Sequence, residues 1–181
     1  MSTRSVWTAL VLAAACLAAP SLRADELQDV DKLYRAGELQ QALSKADAAI
    51  AAQPRAAQIR FLKGVILTDL KRHDEAMQVF IALTEDYPEL ADPYNNLAVL
   101  YAADGQLQSA VVALQTALRN DASHRAAREN LGDVYLTLAR QAWSAALVGS
   151  KGEDGELQRK LRLAREIQAV PPGKAASQPP G

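Results

Sequence analysis

The chain has one cysteine, Cys16, and it lies in an N-terminal stretch that reads as removed on export. The mature protein therefore owes nothing to disulfides, even at an oxidising destination. Aromatic residues are scarce, 5% against 49% hydrophobic overall, a balance that suits one all-helical domain with an ample core. There is no basic excess. The 20 Lys and Arg face 21 Asp and Glu, and without residues 1–24, which hold Arg4 and Arg23, 18 basic face 21 acidic residues. That balance excludes nonspecific nucleic-acid binding, which needs a basic surface. The two histidines, His73 and His124, belong to no metal-ligand spacing such as HExxH and read as solvated surface or loop residues. GxSxG, a phosphate-cradling glycine loop and a mature cysteine nucleophile are all missing. The sequence thus nominates no catalytic residue, no metal ligand and no cofactor site.

No long apolar run is present either. Val6 to Ala19 is uncharged and mostly apolar, but its 14 residues fall short of the ~20 that span a bilayer. Arg4 ahead of it and small residues behind it give residues 1–24 the pattern of a secretory signal peptide. Cleavage is expected after Ala24, with a mature start at Asp25; cleavage after Ser21 is the alternative, because Leu22 fits the specificity position poorly. A rival reading makes Cys16, preceded by small Ala14 and Ala15, a lipid-anchored N-terminus. The destination is periplasmic or secreted.

What the chain does have is a repeat. Its columns line up at one constant offset, the step from Ala42 to Ala76 and again to Ala110. Val30, Gly64, Ala98 and Gly132 form a small or slender column. Leu33, Leu67, Tyr101 and Tyr135 form a large one. The Ala column is followed by Ala46, Phe80 and Leu114, then by Ala49, Leu83 and Ala117. Two helices approach to ~8 Å only where a crossing side chain is small, and the Ala and Gly columns supply that contact. Gly37 and Gly105 stand where a helix must stop in a left-handed conformation. Pro54 and Pro88 end the second helices, with Ala122 in the third place.

Leu97, Ala98, Tyr101, Gly105, Ala110, Leu114 and Ala117, with their counterparts one repeat away on either side, resemble the tetratricopeptide repeat family. The resemblance covers roughly residues 25–148. Asp29 and Lys63 depart from it where Leu97 and Leu131 stand, and Lys71 replaces the turn glycine. It implies an all-α fold: a right-handed α-solenoid of helix–turn–helix pairs with a C-terminal capping helix. The repeats would be about 23–56, 57–90 and 91–124, with a partial unit 125–148, a capping helix 156–169 and a disordered Pro-rich tail 170–181.

Hydrophobic spacing predicts helix pairs at 26–35 and 39–52, 56–70 and 74–87, and 92–103 and 107–120. Asp74 is expected to cap its helix, and Pro93 to sit in a first turn. Ala139 replaces the turn glycine of the fourth unit, so a single helix is expected over 126–148, with Trp143 and Leu147 covering the last repeat. Residues 149–155 read as a flexible loop. The last helix would pack through Leu157, Leu161, Ala164 and Ile167. Its other face carries Arg159, Arg162, Arg165 and Glu166, and reads as the polar back of a solenoid cap; docking on an anionic surface is the alternative.

The resemblance further implies a concave groove lined by the first helices. The residues expected to face it are Leu27, Gln28, Asp31, Tyr34 and Arg35; Gln58, Phe61, Leu62, Val65, Thr68 and Asp69; Asp92, Asn95, Asn96, Val99, Ala102 and Ala103; and Glu129, Asn130, Asp133, Leu136 and Thr137. Asn96 and Asn130 share a column in which family members often use Asn to grip a peptide backbone; plain helix solvation is the equal alternative. Against the acids, only Arg35 is basic, which disfavours a carboxylate clamp. The expected partner is a protein or extended peptide, neutral or basic, with an apolar anchor near Phe61 and Leu62. The function that follows is a non-catalytic periplasmic scaffold, with cell-envelope assembly as one setting for it. A structural subunit of a stable envelope or secretion complex is the alternative, and a hydrolase or small-molecule binder is a third.

Overall fold

The computed structural model describes residues 19–149 and 154–168, and among these it contains eight helices and no strand. They are α1 Ala19–Arg35, α2 Leu39–Ala52, α3 Ala57–Asp69, α4 His73–Asp86, α5 Ala91–Ala103, α6 Leu107–Asn120, α7 Arg125–Gly149 and α8 Gly155–Gln168. Cys16 and the residues 170–181 assigned to a tail lie outside the described residues, as do 150–153 of the expected loop. None of the described helices is long and apolar enough to cross a membrane.

Three turns repeat at the same interval. Gly37, Lys71 and Gly105 have φ of 77°, 62° and 75°. In each, two backbone bonds close the helix end: Gly37 N–H to Tyr34 O and Glu38 N–H to Leu33 O; Lys71 N–H to Thr68 O and Arg72 N–H to Leu67 O; Gly105 N–H to Ala102 O and Gln106 N–H to Tyr101 O. This is the paired bonding that satisfies orphan carbonyls at a helix C-terminus. Lys71 is the one non-glycine described residue with positive φ, so the second turn keeps its shape against the preference of an L side chain. The fourth place in this column is Ala139, and α7 runs through it unbroken.

The junctions repeat too. Ala56 N–H bonds Gln53 O, Leu90 N–H bonds Tyr87 O, and His124 N–H bonds Asp121 O, each closing a four-residue turn. Pro54 and Pro88 take the second position of their turns, where a fixed φ suits them. At the third junction Ala122 sits there. Asp121 substitutes for the missing proline by accepting bonds through Oδ1 from Ser123 N–H at 2.8 Å and Ser123 Oγ at 2.6 Å.

The helices fall into two compact units, one ending at Arg72 and one starting at His73. In the first, α2 packs on both α1 and α3, and α1 meets α3. Val30, Ala42 and Ala46 are fully buried. Asp29 and Lys63, which stand where the repeat has leucine, are each given a partner. Lys45 Nζ lies 3.0 Å from Asp29, and Lys63 Nζ lies 2.6 Å from Asp47.

In the second unit α5 and α6 form the most closely packed pair; α4 packs on α5, α7 on α6 and α5, and α8 on α7. Ala98, Ala110, Leu114 and Ala117 form the centre of its core, and Ala127, Leu131, Val134 and Leu138 of α7 close over it. Trp143 and Leu147 do not cover the repeat as expected. α6 has 14 residues and α7 has 25, so at 1.5 Å per residue α7 is ~16 Å longer, and both are only half-buried on its far part. Gly132 provides no close crossing either: it is exposed, and a Cβ there would meet nothing within 4 Å. With no turn at Ala139, no second helix folds back onto that position.

One capping expectation is also corrected. α4 begins at His73, which puts Asp74 inside the first turn beside Glu75, where a carboxylate favours the helix through the macrodipole. At α8 the cap is Asp154, whose Oδ1 accepts the N–H groups of Glu156 and Leu157, both at 3.0 Å. Leu161 and Ala164 of α8 are buried, but Ile167 is exposed.

Candidate functional site

The first-helix residues picked out by the repeat fall on α1 and α3 in the first unit, and on α5 and α7 in the second. On α1, Arg35 Nε lies 2.7 Å from Asp31, so the basic residue of this surface is already paired one turn back. Tyr34 donates its hydroxyl proton to Asp69 Oδ2 on α3 at 2.8 Å. Phe61 and Leu62 are buried, at 9% and 3% exposure. They belong to the core and are not an apolar anchor; α3 is apolar around more than one face, and its extra face is covered. Val65 is half-buried. Thr68 spends its hydroxyl on Gly64 O within its own helix.

On the second unit, Asn130 Nδ2 donates to Asn95 Oδ1 at 2.8 Å, linking α7 to α5. This bond and Tyr34–Asp69 have the same sequence separation, 35 residues: one repeat plus one position. Asn96, in the same column as Asn130, does something else. Its Nδ2 donates to Asp92 O, four residues back in its own helix, at 2.9 Å. Equivalent sequence positions thus have different occupations; the residue one repeat before Asn95 is Phe61, whose side chain offers no amide acceptor. Val99 stands 44% exposed on this face, and Glu129 and Asp133 are exposed.

The Asn95–Asn130 bond uses one acceptor and one donor. It leaves Asn95 with its amide N–H groups and Asn130 with its carbonyl oxygen, one donor side and one acceptor side. A peptide unit offers the complementary pair.

His124 is not a solvated residue. Its side chain is 13% exposed and its Nε2 lies 3.1 Å from Asp92 Oδ1. Its Nδ1 accepts the N–H of Ala127 at 3.1 Å, capping α7. Nδ1 can accept only without a proton, so the imidazole carries its hydrogen on Nε2 and donates it to Asp92. One side chain starts α7 and ties it to the first turn of α5. Its position just before a helix was the available signal; the contact with Asp92, nearly a whole repeat earlier in the chain, was not.

A concavity opens between α5 and α6, with a volume of about 420 Å³, lined by Tyr94, Leu97, Tyr101, Val112 and Ala113. Asp29 and Lys45, which form an ion pair in the first repeat, occupy the columns of Leu97 and Ala113. Among the described residues no group of His, Cys, Asp and Glu is arranged to hold a metal ion.

Helices paired by left-handed turns at a constant interval define an α-helical repeat protein. A family model described as tetratricopeptide repeat matches residues 28–91 and 95–150, and the chain belongs to that family. No curated protein matches the chain in sequence. Among solved structures, the first TPR of Spaghetti (RPAP3) bound to the HSP90 peptide SRMEEVD superposes with a TM-score of 0.61 at 14% identity, covering 65% of this chain and 93% of that one. The second TPR domain of human RPAP3, in complex with the HSP70 peptide SGPTIEEVD, gives 0.58 at 15% identity, covering 64% and 98%. MamA from Desulfovibrio magneticus RS-1 gives 0.56 at 20% identity, covering 83% and 78%. These likenesses show the fold, an α-solenoid of paired helices.

Proposed function

We propose that the chain is a non-catalytic adaptor that holds an extended segment of a partner protein against the first-helix face of its second unit, on α5 and α7. The observation that carries this reading is the Asn95–Asn130 pair, which presents a donor and an acceptor beside the exposed side chain of Val99. Such a pair binds backbone and is indifferent to most side chains. Family membership and the peptide-bound RPAP3 domains support a protein-binding role.

The partner segment is neutral or basic. On the second unit Glu129 and Asp133 are exposed on the face that carries the Asn95–Asn130 pair; on the first unit Asp69 is exposed, and the one base expected there, Arg35, is bonded to Asp31. Glu129 and Asp133 beside the Asn95–Asn130 pair repel acidic tails such as SRMEEVD, so the specificity differs from that of the RPAP3 domain. Acid lining steers and discriminates more than it adds affinity. The setting is the periplasm or another extracytoplasmic space, in envelope assembly, as the pattern of residues 1–24 suggests.

Fluorescence anisotropy with otherwise matched basic, neutral and acidic peptides tests the binding reading. Basic or neutral peptides are expected to bind, and Asn95→Ala with Asn130→Ala to weaken binding about tenfold, since each hydrogen bond contributes about 1 kcal/mol. Equal binding of an acidic peptide overturns the specificity. Mass spectrometry of the N-terminus of protein from fractionated cells tests the location: a start at Asp25 is expected, a lipid on Cys16 supports the anchored form, and an uncut cytosolic chain refutes export.

A further inference from the structure

The charges of the second unit are segregated. From His73 to Leu118 the sequence contains no lysine or arginine. Within that stretch Asp74, Glu75, Glu85 and Asp86 on α4, and Glu89 just after it, are all exposed. Leu90, beside Glu89, is exposed as well. The opposite composition appears on α8. Arg159, Arg162 and Arg165 are exposed, and no ion pair among the described residues uses any of them. Lys160 is paired with Glu156 at 2.6 Å, and Glu166 is the other acid of the helix. Leu163 and Ile167, one turn apart, are 48% and 58% exposed.

This outer face is not left over from the core. α8 packs on α7, with Leu161 and Ala164 buried; Arg159, Arg162, Leu163 and Ile167 lie off that stripe and are exposed, and Arg165, one turn after Leu161, is exposed at its edge. A helix with arginines beside two adjacent aliphatic side chains fits an acidic surface that contains an apolar spot. The end of α4, with exposed Glu85 and Asp86 followed by exposed Glu89 and Leu90, has that composition. We propose that the outer face of α8 docks on the acidic α4 surface of a second copy of this chain. The contact is heterologous: each copy offers one basic face and one acidic face, so association continues with concentration unless a ring closes.

Sedimentation velocity on the full chain tests this at two salt concentrations. Surface charges interact over ~30 Å at about 0.01 M salt and over ~3 Å at about 1 M. The average mass is expected to rise with protein concentration at low salt, and the apparent dissociation constant to increase about tenfold or more at high salt. The variant Arg159→Glu, Arg162→Glu, Arg165→Glu is expected to stay monomeric at low salt, with its circular dichroism unchanged because these side chains are exposed. Mixing it with Glu85→Lys, Glu89→Lys is expected to restore association between the two chains. Three results overturn the proposal: a monomer at low salt, self-association indifferent to the charge reversal, or binding of α8 to phosphatidylserine vesicles without self-association.

Discussion

Residues 91–120 and 125–149 start from equivalent columns and end as different structures. In the first stretch a glycine at 105 lets the chain turn, and α6 folds back on α5. In the second, Ala139 has the same place and α7 continues straight. Everything downstream of that residue changes meaning. Leu114 is fully buried, while Val148, its counterpart in the next unit, is 81% exposed. Ala98 is buried at a helix crossing, while Gly132 faces open space. The pattern of side chains is a set of options; whether the backbone turns decides which of them become core.

Cutting the same column in both stretches gives the largest contrast. Leu114→Ala removes a fully buried side chain from the α5–α6 core and should cost about 2–5 kcal/mol in urea unfolding. Val148→Ala should change stability by less than about 0.5 kcal/mol. Equal losses would mean that the fourth unit has a core of its own. The small column is expected to respond in opposite directions. Ala98→Leu overfills a packed crossing and should cost about 1–3 kcal/mol. Gly132→Ala, mid-helix and unobstructed, should gain about 0.5–1 kcal/mol by reducing the freedom of the unfolded chain. A loss on Gly132→Ala would place a neighbour where the structure has none.

His124 lies at the join between the two stretches. His124→Ala removes the acceptor that caps α7 and the donor to Asp92. A loss of about 1–2 kcal/mol is expected, felt most by the first turn of α7 in amide exchange. His124→Asn should recover part of it, because an amide oxygen can still accept from Ala127. Uniform exchange along α7 in His124→Ala would show that the cap is incidental.

Much of this architecture was legible in the sequence, and the limits have physical causes. The Ala column at 42, 76 and 110 announced helix crossings, and all three residues are fully buried. Gly37 and Gly105 announced turns because few other residues accept a left-handed backbone. Lys71 shows the limit of that signal: the bonds on both sides hold the turn even where the residue opposes it. Side-chain pairing was not legible. Asn96 and Asn130 look equivalent in the repeat, yet one bonds its own helix and the other bonds Asn95. Phe61 and Leu62 looked available because periodicity records how many apolar faces a helix has, not which of them are covered. His124 looked solvated because its partner lies nearly a whole repeat away.

The smallest effect concerns the junction between the two stretches, and its sign can be worked out. Asp121 does there what Pro54 and Pro88 do at the earlier junctions. The hydroxyl of Ser123, foremost, and its backbone N–H bond the Asp121 carboxylate and hold its pKa below the usual carboxylate value. A carboxyl whose pKa is depressed by folding contributes stability above its unfolded pKa, and loses it as pH falls through the folded one. Ser123→Ala removes the hydroxyl but keeps the backbone N–H, so the carboxyl pKa should rise toward the ordinary value without reaching it. Carboxyl NMR titration of both forms measures this directly. The Asp121 carboxylate faces solvent, so global stability should hardly move and the shift should shrink little with salt, since it comes from hydrogen bonds within the turn. An unchanged pKa in Ser123→Ala would mean that the charge of nearby Arg128 holds the carboxylate instead, and that the turn without proline is kept by charge and not by bonding.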